Sequence, residues 1–264
     1  MLHAGLAAEP AVLVSVLQTQ GSVPREAGAW MAVFAERVLG TIGGGHLECE
    51  AIALARAALS GGAVDARRRF ALGPSLGQCC GGVVHLGFER VQLAAAGALI
   101  ERLKNEREMR CMPVALFGGG HVGCAIVRAL IPLPVRVHWI DSRDEVFPPG
   151  LPLQVKAEHS APVQAAVRDL VPGTRVLVMS FSHAEDLEIV AACLQRVREH
   201  DDLPFIGLIG SKTKWAAFRH RLEARGFADV ELARITCPIG VPGVAGKEPE
   251  VIAAAVAAQL MQLR

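Results

Sequence analysis

Tyrosine is absent from the chain, and the other aromatics are few, at nine phenylalanines and three tryptophans. Without tyrosine the chain cannot build the Tyr-Lys proton-donor arrangement of many small dehydrogenases. An excess of one charge is lacking too. With 27 basic and 26 acidic residues the formal net charge is +1, so no long-range field points to nucleic acid, an anionic membrane or a strongly acidic partner. No apolar run approaches the roughly 20 residues needed to cross a bilayer. The alanine-rich tail over 251–263 carries Gln259 and Gln262 and reads as a buried helix of a soluble protein. The opening MLHAGLAAEP has no basic segment followed by a long apolar one, so no secretion signal is expected. A disulfide framework is missing as well: seven cysteines at irregular spacings read as reduced thiols, which suits the cytoplasm.

What is present is apolar residue in quantity. The chain is 52% hydrophobic over 264 residues, enough for two cores, and its length favours two domains. The first part reads as strands and tight turns: VLVSVL (12–17), WMAVF (30–34) and RVLGTI (37–42), then a helix over 48–59 stopped by Ser60-Gly61-Gly62, then the strand VVHLGFERV. The run Arg67-Arg68-Arg69 reads as a solvated strand or turn. An alanine-rich, then charged, helix over 92–110 leads out of this part, with the domain boundary near Arg110.

Beyond it, strands at 113–117, 135–140, 175–180 and 204–209 alternate with helices at 121–130, 160–170, 184–199 and 212–225. Strands rich in Val, Ile and Leu alternating with helices indicate a parallel sheet covered on both faces. The expected fold is therefore α/β: a Rossmann-like doubly wound parallel sheet over 111–264, preceded by a smaller α+β domain over 1–110.

The strand VALF runs into Gly118-Gly119-Gly120-His121-Val122-Gly123, a GxGxxG pattern at Gly118, Gly120 and Gly123 that opens a helix. Asp141 closes the next strand, where a ribose-reading carboxylate belongs. Glycines here allow a tight turn whose backbone N–H groups and helix N-terminus meet a pyrophosphate. Such a loop serves NAD, FAD or any pyrophosphate-bearing cofactor, and Asp141 favours a free 2′-hydroxyl. The alternative is a strand-to-helix turn with no ligand. Ser211, in GLIGSK after one strand, is either a helix cap or part of the site, and His183, in SFSH after another, is either part of a polar helix entry or shares that crevice; for hydride chemistry His183 or Lys212 could stand in for the missing tyrosine, though neither sits in a motif for it.

In the first domain, GSVPRE (21–26) and GGGHLE (43–48) are loops able to bind an anion through exposed N–H groups, with Arg25, Gly44 and Gly45 as the residues of interest. The loop GPSLGQCCGG places Cys79 beside Cys80. Direct neighbours are poor zinc chelators and form only a strained disulfide. The choice left is a pair of small buried hydrophobes or a low-pKa thiolate that attacks sulfur or ligates a metal.

These segments together, GSVPREAGAWMAV, GTIGGGHLE, LGPSLGQCCGGVV, LFGGGHVG, FIGLIGSKTKWAAFRHRL and PIGVPGVAGKEPEVIAAAV, resemble the XdhC/CoxI family of accessory proteins to xanthine dehydrogenase and related molybdenum hydroxylases. The resemblance implies a cofactor-maturation chaperone of purine catabolism rather than a turnover enzyme. It would bind the molybdenum cofactor, as molybdopterin or its dinucleotide form, assist its sulfuration and insert it into the dehydrogenase. The implied partners are a cysteine desulfurase and the molybdenum-binding subunit; exposed edges of the first sheet suit a homodimer. In that reading Cys80, helped by Cys79, contacts molybdenum or carries sulfur, while Gly118, Gly120 and Gly123 hold the phosphate end. The competing expectation is an NAD-dependent oxidoreductase using the GxGxxG domain.

Overall fold

The computed structural model describes residues 2–73 and 81–264. The chain divides into two compact units, Met1–Arg107 and Glu108–Arg264.

The first unit contains α1 (Leu2–Ala8), β1 (Ala11–Gln20), β2 (Trp30–Val33), β3 (Val38–Gly40), α2 (Gly45–Leu59), β4 (Arg67–Ala71) and β5 (Val83–Val91), and α3 (Ala96–Arg110) begins in it. Its strands form an antiparallel sheet in the order β3-β2-β1-β5-β4. Period-two alternation sorts the side chains. Val12, Val14, Val16, Met31, Val33, Val84 and Leu86 pack with Leu47, Ala51 and Ala55 of α2. Leu13, Ala32 and Phe34 on the opposite face pack with Leu6 of α1 and Leu99 of α3. The β1–β5 register shifts between Val16 and Gln18, a bulge that leaves Leu17 41% exposed. The arginine run becomes β4, an edge strand, where charge discourages pairing with another chain.

The second unit holds β6 (Met112–Phe117), α4 (His121–Leu130), β7 (Val135–Asp141), β8 (Val155–His159), β9 (Arg175–Val178), α5 (His183–His200), β10 (Phe205–Leu208), α6 (Lys212–Glu223), α7 (Asp229–Leu232), β11 (Ile235–Thr236) and α8 (Pro249–Gln262). The six strands are all parallel, in the order β11-β10-β9-β6-β7-β8. Counted from β6, this is the Rossmann order, and the strand sequence reverses direction between β6 and β9. One face is covered by α5, α6 and α7 around Leu187, Val190, Phe218 and Leu232. The other carries α4 and α8 around Ile126, Leu130, Val256 and Leu260.

The helix expected over 160–170 is instead a 3-10 stretch, Val163–Asp169, too short for an α-helical stripe but sufficient to bury Val163, Ala166 and Val167. β8 was not expected: VKAEH has a single fully buried residue, Val155, so this edge strand has no apolar alternation to announce it.

Candidate functional site

In an open parallel sheet, ligands bind beyond the carboxyl ends of the strands where the order reverses. Here that point lies between the ends of β6 and β9, flanked by the first turns of α4 and α5.

The glycine turn after β6 is built for close approach. A Cβ on Gly118, whose φ is 132°, would lie 2.0 Å from the Met179 carbonyl oxygen, and one on Gly123 would lie 2.1 Å from the Gly118 oxygen. The Trp139 indole N–H donates to the Gly118 carbonyl at 2.9 Å, fixing the turn from below. Gly120 differs: its φ is −73° and nothing lies within 4 Å of a Cβ built there. Two glycines are thus required by packing, and the third leaves open space over the N-terminus of α4. That space, with the partial positive charge of a helix start, fits a phosphate-bearing group.

Asp141 is only 2% exposed, and its two oxygens are taken by its own chain. Gly119 N–H donates to Oδ2 at 2.6 Å; Arg143 donates its backbone N–H and Nε to Oδ1 at 2.9 Å and Nη2 to Oδ2 at 3.0 Å. Burial pushes this carboxyl up, but the Arg143 side chain and the two backbone N–H groups outweigh it and hold the group below the ordinary aspartate range. Asp141 therefore locks the glycine turn to the end of β7. Arg143 in turn lies over the Phe181 ring at 4.5 Å, and Phe181 is 68% exposed. The Ser142 hydroxyl donates to Glu185 Oε1 at 2.7 Å.

On the β9 side, Ser182 caps α5, its hydroxyl accepting the Glu185 N–H at 3.2 Å. His183 is exposed at the first position of that helix, edge-on to Phe218 at 6.3 Å. Ser211 caps α6, accepting the Lys214 N–H at 3.1 Å. Beneath these caps is a buried ion pair: Lys214 Nζ lies 2.6 Å from Asp186 Oδ2 and donates to the Ile209 carbonyl at 2.8 Å, while Asp186 Oδ1 accepts from the Ser180 N–H and hydroxyl. A Cβ on Gly210 would meet Lys214 Cδ at 2.5 Å, so the glycine makes room for that lysine. Lys212, the lysine singled out in the sequence, is exposed. Lys214 and Asp186 are 28 positions apart, and no local pattern could have joined them.

In the first unit the glycine loops meet. A Cβ on Gly43 would lie 2.6 Å from Pro24 Cβ and 3.1 Å from Arg25 Cγ, and one on Gly82 would lie 2.4 Å from the Ser22 carbonyl oxygen. Arg25 and Gly45 are exposed beside this junction. The N–H groups of Ile42 and Gly44 are spent on Glu48 Oε2, at 2.9 and 3.0 Å, and the Thr41 hydroxyl also donates to it. Burial pushes the Glu48 carboxyl up, yet these donors hold it below its ordinary range. A built-in carboxylate thus occupies the concavity expected to hold an external anion at Gly44.

Cys79 and Cys80 lie outside the described residues. Among the described residues no three His, Cys, Asp or Glu side chains gather to hold a metal ion. Burial pushes the Cys193 thiol up to about 12 and the Cys237 thiol above its ordinary value, so neither offers a ready thiolate.

Fold and site define a two-unit α/β protein with a C-terminal Rossmann domain. The chain matches the XdhC Rossmann domain over residues 114–260 and the XdhC and CoxI family over residues 6–70, and it belongs to that family. A solved protein from Bacillus halodurans, described as a xanthine dehydrogenase, shares the fold: its TM-score is 0.75 over 99% of this chain and 94% of its own, at 19% identity. YqeB of Escherichia coli (strain K12), an uncharacterized protein, is 25% identical over 267 residues. That match covers 97% of this chain but 44% of YqeB, so the chain spans less than half the length of this relative. No helix among the described residues is long and apolar enough to cross a membrane.

Proposed function

We propose that this chain binds the molybdenum cofactor as cargo, assists exchange of an oxo ligand for sulfur, and delivers the product to the molybdenum-binding subunit of xanthine dehydrogenase. The observation that carries this reading is the open Gly120 turn at the point of strand reversal, in a chain of the XdhC and CoxI family. Gly118, Gly120, Gly123 and the first N–H groups of α4 seat the phosphate end of the cargo, as a pyrophosphate if the cargo is a dinucleotide. We assign His183 and Ser211, exposed at the starts of α5 and α6, to the same ligand as further polar contacts. In the first unit, Cys80, with Cys79, is the proposed soft sulfur ligand or carrier, loaded by a cysteine desulfurase. Arg25 and Gly45, exposed beside the glycine junction that Gly82 helps to form, are proposed as polar contacts of the first unit.

The test is mass spectrometry of small molecules released from the protein purified from a molybdenum-replete host. A molybdopterin derivative is the expected result; bound NAD overturns the reading in favour of a nicotinamide enzyme. For the cysteines, Cys80→Ala is expected to abolish maturation of active, sulfurated dehydrogenase, and full maturation by that variant removes Cys80 from the mechanism.

A further inference from the structure

The end of β7 offers the crevice something other than the ribose-reading acid expected there. Asp141 accepts four hydrogen bonds from Gly119 and Arg143 and is 2% exposed, so a ribose hydroxyl would have to displace one of its own donors. The group left facing solvent is Arg143. Of its five side-chain N–H bonds, the Nε and one Nη2 bond are engaged by Asp141. The guanidinium is held at one edge by that fork and backed by Phe181, 4.5 Å below it. The arginine side chain is 37% exposed and the phenylalanine 68% exposed.

A large exposed aromatic just past the end of β9, lying under a clamped planar cation, is a costly arrangement to leave to water. The fork to Asp141 and the cation–π contact with Phe181 hold the guanidinium in one orientation, with its remaining N–H edge and outer face turned to solvent. Asp141 and Glu185 attract the guanidinium and fix where it lies; what they leave outward is its plane, and guanidinium and phenyl planes are the surfaces on which nitrogen heterocycles stack.

Resting on the reading that the glycine turn seats a phosphate, we propose that the Arg143–Phe181 stack is the platform for the planar heterocycle of the same ligand. Asp141 is then a positioning residue that holds the platform and the glycine turn in one register. Two ligand parts supply such a ring, a purine base and a pterin, and the two are separable by probe.

The experiment is calorimetric titration of the full chain with inorganic pyrophosphate, ADP and neopterin triphosphate. The wild type is expected to bind at least one ring-bearing probe about ten-fold or more tighter than pyrophosphate. Phe181→Ala is expected to reduce that probe towards the pyrophosphate level, with pyrophosphate itself unchanged, and Arg143→Lys is expected to reduce it as well; Phe181→Trp is expected to retain it. Loss confined to ADP identifies a purine, and loss confined to neopterin triphosphate a pterin. Ring-bearing probes that bind no better than pyrophosphate, or variants that leave the ratio unaltered, overturn the platform while leaving the glycine turn standing. Absence of binding by all three probes overturns the seat on the glycine turn and the platform with it. Phe181 is exposed, so its variants keep the test open if Arg143→Lys fails to fold.

Discussion

Gly120 and Gly123 sit three positions apart in one motif and have opposite physical reasons for being glycine. Gly123→Ala would drive a methyl into the Gly118 carbonyl at 2.1 Å, and the backbone must move to relieve it. A loss of about 1–3 kcal/mol is expected in chemical denaturation. Gly120→Ala has open space and a φ of −73° that alanine adopts freely, so stability is expected within about 0.5 kcal/mol of wild type. Its methyl would stand in the open space proposed to seat the phosphate, so on that proposal pyrophosphate affinity should fall. An unchanged affinity in this variant would place the anion elsewhere. Asp141 supplies the second prediction at this scale. Its folded pKa is depressed, so its contribution to stability is present above the unfolded value, near 3.9, and is lost as pH falls through the folded value. Wild type should therefore melt above Asp141→Asn at neutral pH, and the gap should close as the solution is taken below about pH 4. A gap independent of pH would show that the carboxylate charge is not what locks the turn.

At the scale of elements, the crevice depends on how the first turns of α5 and α6 are tied together. The Lys214–Asp186 pair is nearly dry, with side chains 11% and 3% exposed, and it bridges the two helices just under their serine caps. Removing one partner strands a buried charge. Lys214→Met is expected to cost about 3–5 kcal/mol, and adding Asp186→Asn should recover part of that loss, since the two sites are in contact. Denaturant melts of the single and double variants check this; strictly additive losses would mean the pair is not coupled. The elements also divide by how plainly the sequence announces them. β6, β9 and β10 are mostly buried Val, Ile, Leu and Phe, and β7 alternates buried Val135, Val137 and Trp139 with Arg136 and His138, so all four can be read directly. β8 and the 3-10 stretch at Val163–Asp169 cannot, because one is an edge with a single fully buried side chain and the other is too short for a helical period.

For the whole molecule, the cores of each unit are built from that unit's own residues: Val14, Leu86 and Leu6 in the first, Phe117, Val190 and Ile126 in the second. A fragment of residues 111–264 is accordingly expected to fold alone, showing α/β circular dichroism and a cooperative melt. A fragment that melts without cooperativity would show that the Rossmann unit needs the rest of the chain. YqeB extends well beyond the part that matches this chain.

Sequence by itself determined the α/β class, the glycine turn after β6 and the position of Asp141 at the end of β7, because strand hydrophobicity, glycine punctuation and helix starts are local properties of a few neighbouring residues. Only the tertiary structure decided what those residues do. It turned Asp141 inward onto Gly119 and Arg143, left Arg143 and Phe181 at the surface in its place, paired Lys214 with Asp186, and filled the Gly44 concavity with Glu48. The physical reason is burial. A carboxylate taken out of water binds the nearest donors its own fold provides, and which donors are nearest is settled only when distant strand ends and helix starts are brought to one edge of the sheet.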